Sequence, residues 1–174
     1  MTLTETIIEL ITSLCRAIFV RIYNKQRVWT AKVRKHCIVA AAVKINGRFI
    51  GMSKNISIGS FTCINENFEI TGIGFVNIGQ NVHIGRNCKI LTVHHDYKNG
   101  YPFAESKKQY RDVVIGNDVW IGDDCVIMGG VVIGDKSVIA TGTVVSKNVG
   151  VGEVVGSNTQ VVIGKRECSC SGRW

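Results

Sequence analysis

The chain has 174 residues, which suits one domain, or one domain with an appendage. With 20% charged and 45% apolar residues it has the composition of a packed globular protein, which excludes a disordered chain. The formal charge of +8 is concentrated in residues 1–36, where Arg16, Arg21, Lys25, Arg27, Lys32, Arg34 and Lys35 face only Glu5 and Glu9; no zinc-finger, RNP or basic-zipper pattern accompanies them, so nucleic acid is not an expected partner.

Residues 3–30 read as a helix, with Ile7, Ile11, Leu14, Ile18 and Ile22 recurring at three- and four-residue steps. Capping of a larger core is the first expectation for this segment. The alternative is a peripheral membrane contact, with Arg16, Arg21, Lys25 and Arg27 toward lipid headgroups. The apolar stretch from Ile7 to Tyr23 is interrupted by Glu9, Thr12, Ser13, Arg16 and Arg21, too often for a bilayer span. It also lacks the start and cleavage site of a secretory signal. The seven cysteines, an odd number, fit reduced thiols and a cytoplasmic protein. Residues 1–36 thus form an N-terminal helical segment, and 167–174, with Cys168 and Cys170, a C-terminal tail.

Between them, residues 37–166 follow a different rule. After a less regular stretch with Ile38, Val43, Ile45, Ile50 and Ile56, branched apolar residues recur every six positions, at Ile58, Ile64 and Ile70. A two-residue slip follows, then Ile78, Ile84 and Ile90. The row returns as Ile115, Ile121, Ile127, Ile133, Ile139, Val145 and Val151. Glycine follows directly at Gly59, Gly79, Gly85, Gly116, Gly122, Gly134 and Gly152, where it is expected to take corner dihedrals. Small or β-branched residues stand four places after many anchors: Thr62, Val82, Cys88, Val119, Cys125, Val131, Ser137 and Thr143. Six is neither a helical period nor a simple strand alternation. It marks a β-helix in which each hexad makes one short strand and one corner, stacked on its neighbours. The fold expected is mainly β: a parallel β-helix of hexapeptide repeats with an N-terminal α-helix. The row breaks at 96–112, DYKNGYPFAESKKQYRD, a segment with the single proline (Pro102) and four aromatic residues. An insertion of this length in a regular solenoid reads as a functional, protruding loop.

The stretches ILTVHHD at 90–96, IGNDVWIGDDCVIMGGVVIGDKSVIATGTVV at 115–145 and VVGSNTQVVIGKR at 154–166 resemble the left-handed β-helix acyltransferases, especially the maltose, galactoside and polysaccharide O-acetyltransferase branch. The resemblance implies a left-handed coil, a homotrimer with active sites between subunits, acetyl-CoA as co-substrate and a saccharide as acceptor. It places the catalytic histidine at His95, with His94 second, and the asparagine beside the acceptor hydroxyl at Asn65. Trp120 matches the tryptophan of the "VWIG" hexad, serving acceptor or coenzyme. Tyr97, opening the loop, joins His94 as a candidate acceptor contact. Coenzyme A would meet Gly122, Gly142 and Thr143 through the backbone, and Lys147, Lys165 and Arg166 through their charges. Two departures stand out: Ile73 occupies the place of an acidic residue, and Ser157-Asn158-Thr159-Gln160 replaces Gly-Asn-Pro-Ala.

The chemistry suits these residue types. An alcohol is a poor nucleophile until a base removes its proton during attack, and histidine, with an unperturbed pKa of about 6.5, is the fitting base. Two other transferase acceptors, antibiotics and amino sugars, remain open on the same fold. A γ-carbonic-anhydrase-like zinc enzyme would need three converging histidines, for which His36, His83, His94 and His95 are the candidates. No metal is expected here. A non-catalytic scaffold is the remaining alternative.

Overall fold

The six-residue anchors become the inward row of a parallel β-helix in a computed structural model, which describes residues 11, 13–15, 28–95, 108–156 and 161–165. Three sheets form the sides. Face 1 stacks Ile38–Val39, Ile56–Ile58, Val76–Ile78, Val113–Ile115 and Val132–Ile133. Face 2 stacks Lys44–Ile45, Cys63–Ile64, His83–Ile84, Trp120–Ile121, Val138–Ile139 and Glu153–Gly156, and Val161–Lys165 closes it antiparallel. Face 3 stacks Phe49–Ile50, Phe68–Thr71, Lys89–Leu91, Val126–Met128 and Val144–Val145. Every anchor from Ile58 to Val145 is buried, as is every small residue four places on, from Thr62 to Thr143.

Pairing register gives the length of each coil. Ile45 pairs with Ile64, Ile64 with Ile84, Ile84 with Ile121, Ile121 with Ile139 and Ile139 with Val155, so successive coils take 19, 20, 37, 18 and 16 residues. The 20-residue coil carries the two-residue slip around Gly72, whose φ is +103°. The 37-residue coil carries the insertion.

Several expectations are corrected by the coordinates. Val151 is not an inward anchor: it is 69% exposed, and Val149 bridges Ile133 in its place. The last coil is two residues short, so the row advances from Val145 to Val149 and then resumes its six-residue step at Val155, both buried. In the first coil Ile38 and Ile50 point outward, while Val43, Ile45 and Phe49 fill the interior. Phe49 meets Phe68 edge-on at 5.0 Å between centroids, plugging the prism where the first coil is irregular.

Of the glycines expected to take corner dihedrals, Gly152 does so (φ +71°), whereas Gly59, Gly79, Gly85, Gly116, Gly122 and Gly134 have a different reason. A Cβ on Gly85 would lie 2.5 Å from the backbone nitrogen of Asp123 in the next coil, and one on Gly122 would lie 2.7 Å from that of Thr141. Close approach of coils, not dihedral freedom, excludes a side chain there. The left-handed dihedrals fall two residues later, at Phe61, Asn67, Asn81, Asn87, Asp118, Asp124 and Lys136. Asn and Asp tolerate that region best among residues with a side chain, and here they also bond coil to coil. Asn81 donates to Asp118 (2.7 Å), Asn67 to Asn87 (3.1 Å) and Asn87 to Asp124 (2.9 Å).

A helix over residues 28–36 runs past the expected end at residue 30 and caps the first coil. Val33 is fully buried, Trp29 packs on the core, and the Thr30 hydroxyl accepts the Ile45 N–H at 3.2 Å. Most of the earlier part of the N-terminal segment, including Arg16, Arg21, Lys25 and Arg27, lies outside the described residues, as does the tail. Among the described residues, no helix is long and apolar enough to cross a membrane.

Candidate active site

Two groups of candidate residues occupy different edges of the prism. The first is carried on a hairpin. After Leu91 leaves face 3, Val93–His95 pairs antiparallel with Lys108–Tyr110, setting His95 opposite Lys108, His94 opposite Gln109 and Val93 opposite Tyr110. Residues 108–110 of the expected loop are therefore strand, and 96–107, with Tyr97, lie outside the described residues.

Thr92 is the pivot of this hairpin. Fully buried, it donates its hydroxyl to the Thr71 carbonyl at 2.9 Å and accepts the Gly74 N–H at 3.2 Å. Its own carbonyl accepts the Arg111 N–H at 2.8 Å, which ties the returning strand to the root. Nothing in the six-residue row singles out Thr92; a hydroxyl two places past the anchor Ile90 was the only available signal. Three residues later His95 is exposed at the far end of the strand. His94 turns the other way. Its Nε2 is buried without a hydrogen-bond partner, and a Cβ on Gly129 would stand 2.9 Å from it. The geometry thus separates the two histidines, one presented outward and one packed against a coil.

The second group lies on the outer side of face 2. Ile45, Ile64, Ile84 and Ile121 point inward, so their neighbours Lys44, Cys63, His83 and Trp120 line up outside, paired strand to strand. Trp120 is 55% exposed. Asn65 follows Ile64 at the end of its strand, and a small network holds its amide. Asn46 Nδ2 donates to Asn65 Oδ1 at 2.6 Å and to Cys63 Sγ at 3.4 Å. Asn65 Nδ2 donates to the Ile84 carbonyl at 3.1 Å and approaches His83 Nε2 at 3.4 Å. Sequence did not single out Asn46 and named His83 only as a candidate zinc ligand; only the 20-residue coil brings His83 to Asn65. Burial pushes the Cys63 thiol up, outweighing the Asn46 hydrogen bond and the charge of Lys44, so Cys63 is a neutral S–H group.

The positions expected to meet coenzyme A are committed within the coils. The N–H of Gly122 donates to Ile139 (2.8 Å), that of Gly142 to Asp123 (2.9 Å) and that of Thr143 to Ala140 (3.3 Å). Two of their carbonyls are engaged as well: that of Gly122 accepts the Cys88 thiol at 3.1 Å and that of Thr143 the Val126 N–H at 3.0 Å. Gly142 has φ +74° and nothing within 4 Å of where a Cβ would stand, which leaves open space on its outer side. Lys147 is exposed; the Lys165 backbone pairs with Glu153, and Arg166 and the 157–160 segment lie outside the described residues. Ile73, in the place of an acidic residue, is 62% exposed and its carbonyl accepts the Asn55 amide at 2.7 Å. Among the described residues, no three His, Cys, Asp or Glu side chains converge as a metal site would require.

Residues 112–147 match the family model of the bacterial transferase hexapeptide, six repeats. With the stacked coils, this match shows a hexapeptide-repeat β-helix, the fold of the acetyltransferases that the chain resembles. A hexapeptide-repeat acetyltransferase from Vibrio cholerae O1 biovar eltor, complexed with acetyl coenzyme A, superposes with a TM-score of 0.71 at 27% identity, over 80% of this chain and 76% of that one. A galactoside acetyltransferase in complex with coenzyme A gives 0.72 and 27%, over 79% and 70%. A maltose O-acetyltransferase from Clostridium difficile gives 0.71 and 28%, over 78% and 73%. No curated protein sequence matches the chain.

Proposed function

We propose that the protein is an acetyl-CoA-dependent O-acetyltransferase acting on a saccharide hydroxyl. The observation that carries this reading is the exposed His95 at the end of a strand rooted in the core through Thr92. A base held on a rigid element and open to solvent is what an incoming alcohol requires. The relatives of similar fold act on galactosides and maltose and bind acetyl-CoA or coenzyme A, which favours the same co-substrate and acceptor class here.

In this mechanism His95 takes the acceptor proton as the hydroxyl oxygen attacks the thioester carbonyl. The tetrahedral oxyanion collapses to the ester and expels the coenzyme A thiolate, which recovers the proton from His95. No acyl-enzyme is formed. Asn65 Oδ1 has a second lone pair beyond the one taken by Asn46 and accepts from a neighbouring hydroxyl of the acceptor, which positions the one that loses its proton to His95. Trp120 covers the acceptor or the pantetheine arm, with His94 and Tyr97 at the acceptor's border. The coenzyme runs past the open side of Gly142, with Gly122 and Thr143 beside it, and its phosphates meet Lys147, Lys165 and Arg166.

Asn65 and Trp120 lie on face 2, whereas His95 leaves after face 3. A site completed between subunits of a homotrimer brings the two halves together. Acetyl-CoA supply places the enzyme in the cytoplasm, with the N-terminal helix as a contact to the membrane where surface glycans are built. The test is acetyl transfer from acetyl-CoA onto a panel of sugars, read as released free thiol. His95→Ala is expected to lower turnover by about 10²–10⁴-fold without changing the melting temperature; near-normal turnover would refute the assignment.

A further inference from the structure

The proposed site accounts for Asn65 and Trp120 but leaves the row between and beyond them without a role. Lys44, Cys63, His83 and Trp120 stand side by side on four consecutive strands of face 2. Neighbouring strands lie about 4.8 Å apart, so the row spans about 14 Å, longer than a single pyranose ring.

Its chemistry is graded along that length. Trp120 is a half-exposed aromatic platform of the kind that covers the C–H face of a sugar. His83 is the next position. Asn65 Nδ2 stands 3.4 Å from His83 Nε2, which leaves the other ring nitrogen, Nδ1, to meet a sugar oxygen. Cys63 follows as a small neutral thiol held by Asn46. Lys44 ends the row as an exposed cation. No carboxylate interrupts the four positions.

We propose that Lys44, Cys63, His83 and Trp120 form a binding strip for an oligosaccharide chain, so that the acceptor is an oligomer rather than a single sugar. This rests on the saccharide reading above. His83 and Lys44 would hold the units flanking the one whose hydroxyl reacts, with Lys44 suited to an acidic sugar.

Acetyl transfer is measured onto maltose and maltohexaose, and onto galacturonic acid and its hexamer. The strip predicts that kcat/KM rises at least about tenfold from short to long acceptor in one of the two series. Lys44→Ala and His83→Ala are each expected to remove most of that gain, mainly through the acceptor KM, with the acetyl-CoA KM as reference. Lys44 is exposed, so that variant keeps the test valid if His83→Ala misfolds. Equal kcat/KM for short and long acceptors in both series, or an equal loss on both in the variants, overturns the strip. Binding is read independently by quenching of tryptophan fluorescence, with Trp120→Phe as the blank. Quenching by a hexamer without transfer supports the strip and refutes the proposed function. Transfer to short acceptors with no gain from length does the reverse.

Discussion

Neighbouring residues in this chain can meet opposite environments, and the histidine pair shows why. His94 and His95 are adjacent on one strand, so their side chains leave on opposite sides, one onto Gly129 and one to solvent. The choice between them was legible only as a preference in sequence; the direction in which the strand leaves the prism separates them. Thr92 has a comparable weight, signalled in the sequence only by a hydroxyl two places past the anchor Ile90. Replacing it with valine keeps the shape but strands the Gly74 N–H and loses the bond to Thr71. Thr92→Val is expected to cost about 1–3 kcal/mol, the usual penalty of an unpaired buried polar group. A melting curve checks the loss, and turnover should fall with it because the same threonine anchors the strand that carries His95.

At the level of the coil, the fold is held by repeated contacts between equivalent corners. Arg86 and Asp123 are one such clasp. The Asp123 carboxylate accepts the Arg86 N–H at 2.7 Å and meets its guanidinium at 3.1 Å. These bonds, the backbone one first, hold the Asp123 carboxyl below its usual range. A carboxyl whose folded pKa is depressed adds stability above its unfolded value of about 3.9, and that contribution is lost as pH falls through the folded value. Asp123→Asn is therefore expected to melt below the parent at neutral pH and to converge with it in acid. Melting temperatures across that pH range test this; a constant gap would refute it. Cys88 and Cys125 occupy another repeated corner, both fully buried, their thiols donating to the carbonyls of Gly122 and Ala140. The closeness of the two thiols raises that of Cys88 and lowers that of Cys125. Burial makes them structural rather than reactive. A thiol reagent is expected to label the exposed Cys15 in the native protein and Cys88 and Cys125 only after unfolding, as peptide mapping would show.

For the whole molecule, the split between face 2 and the hairpin is the main consequence of the topology. If the halves of the site come from different subunits, light scattering should give a particle of about three times the 19.1 kDa chain mass. A monomer with full turnover would contradict it. The interior was legible in the sequence from Ile58 to Val145 because every coil offers the same environment, so a local six-residue pattern suffices to place each anchor. The insertion was legible as a break in that pattern. The shortened last coil was not: Val151 has the right type and spacing, and only the bridge between Ile133 and Val149 moves the row two places. The network of Asn46, Asn65 and His83 was equally out of reach, since it joins residues 18 and 19 apart through the length of two particular coils. Sequence alone thus determined what faces inward, where burial repeats residue by residue. Tertiary structure decided what meets on the outside, where each contact depends on how many residues a whole turn consumes.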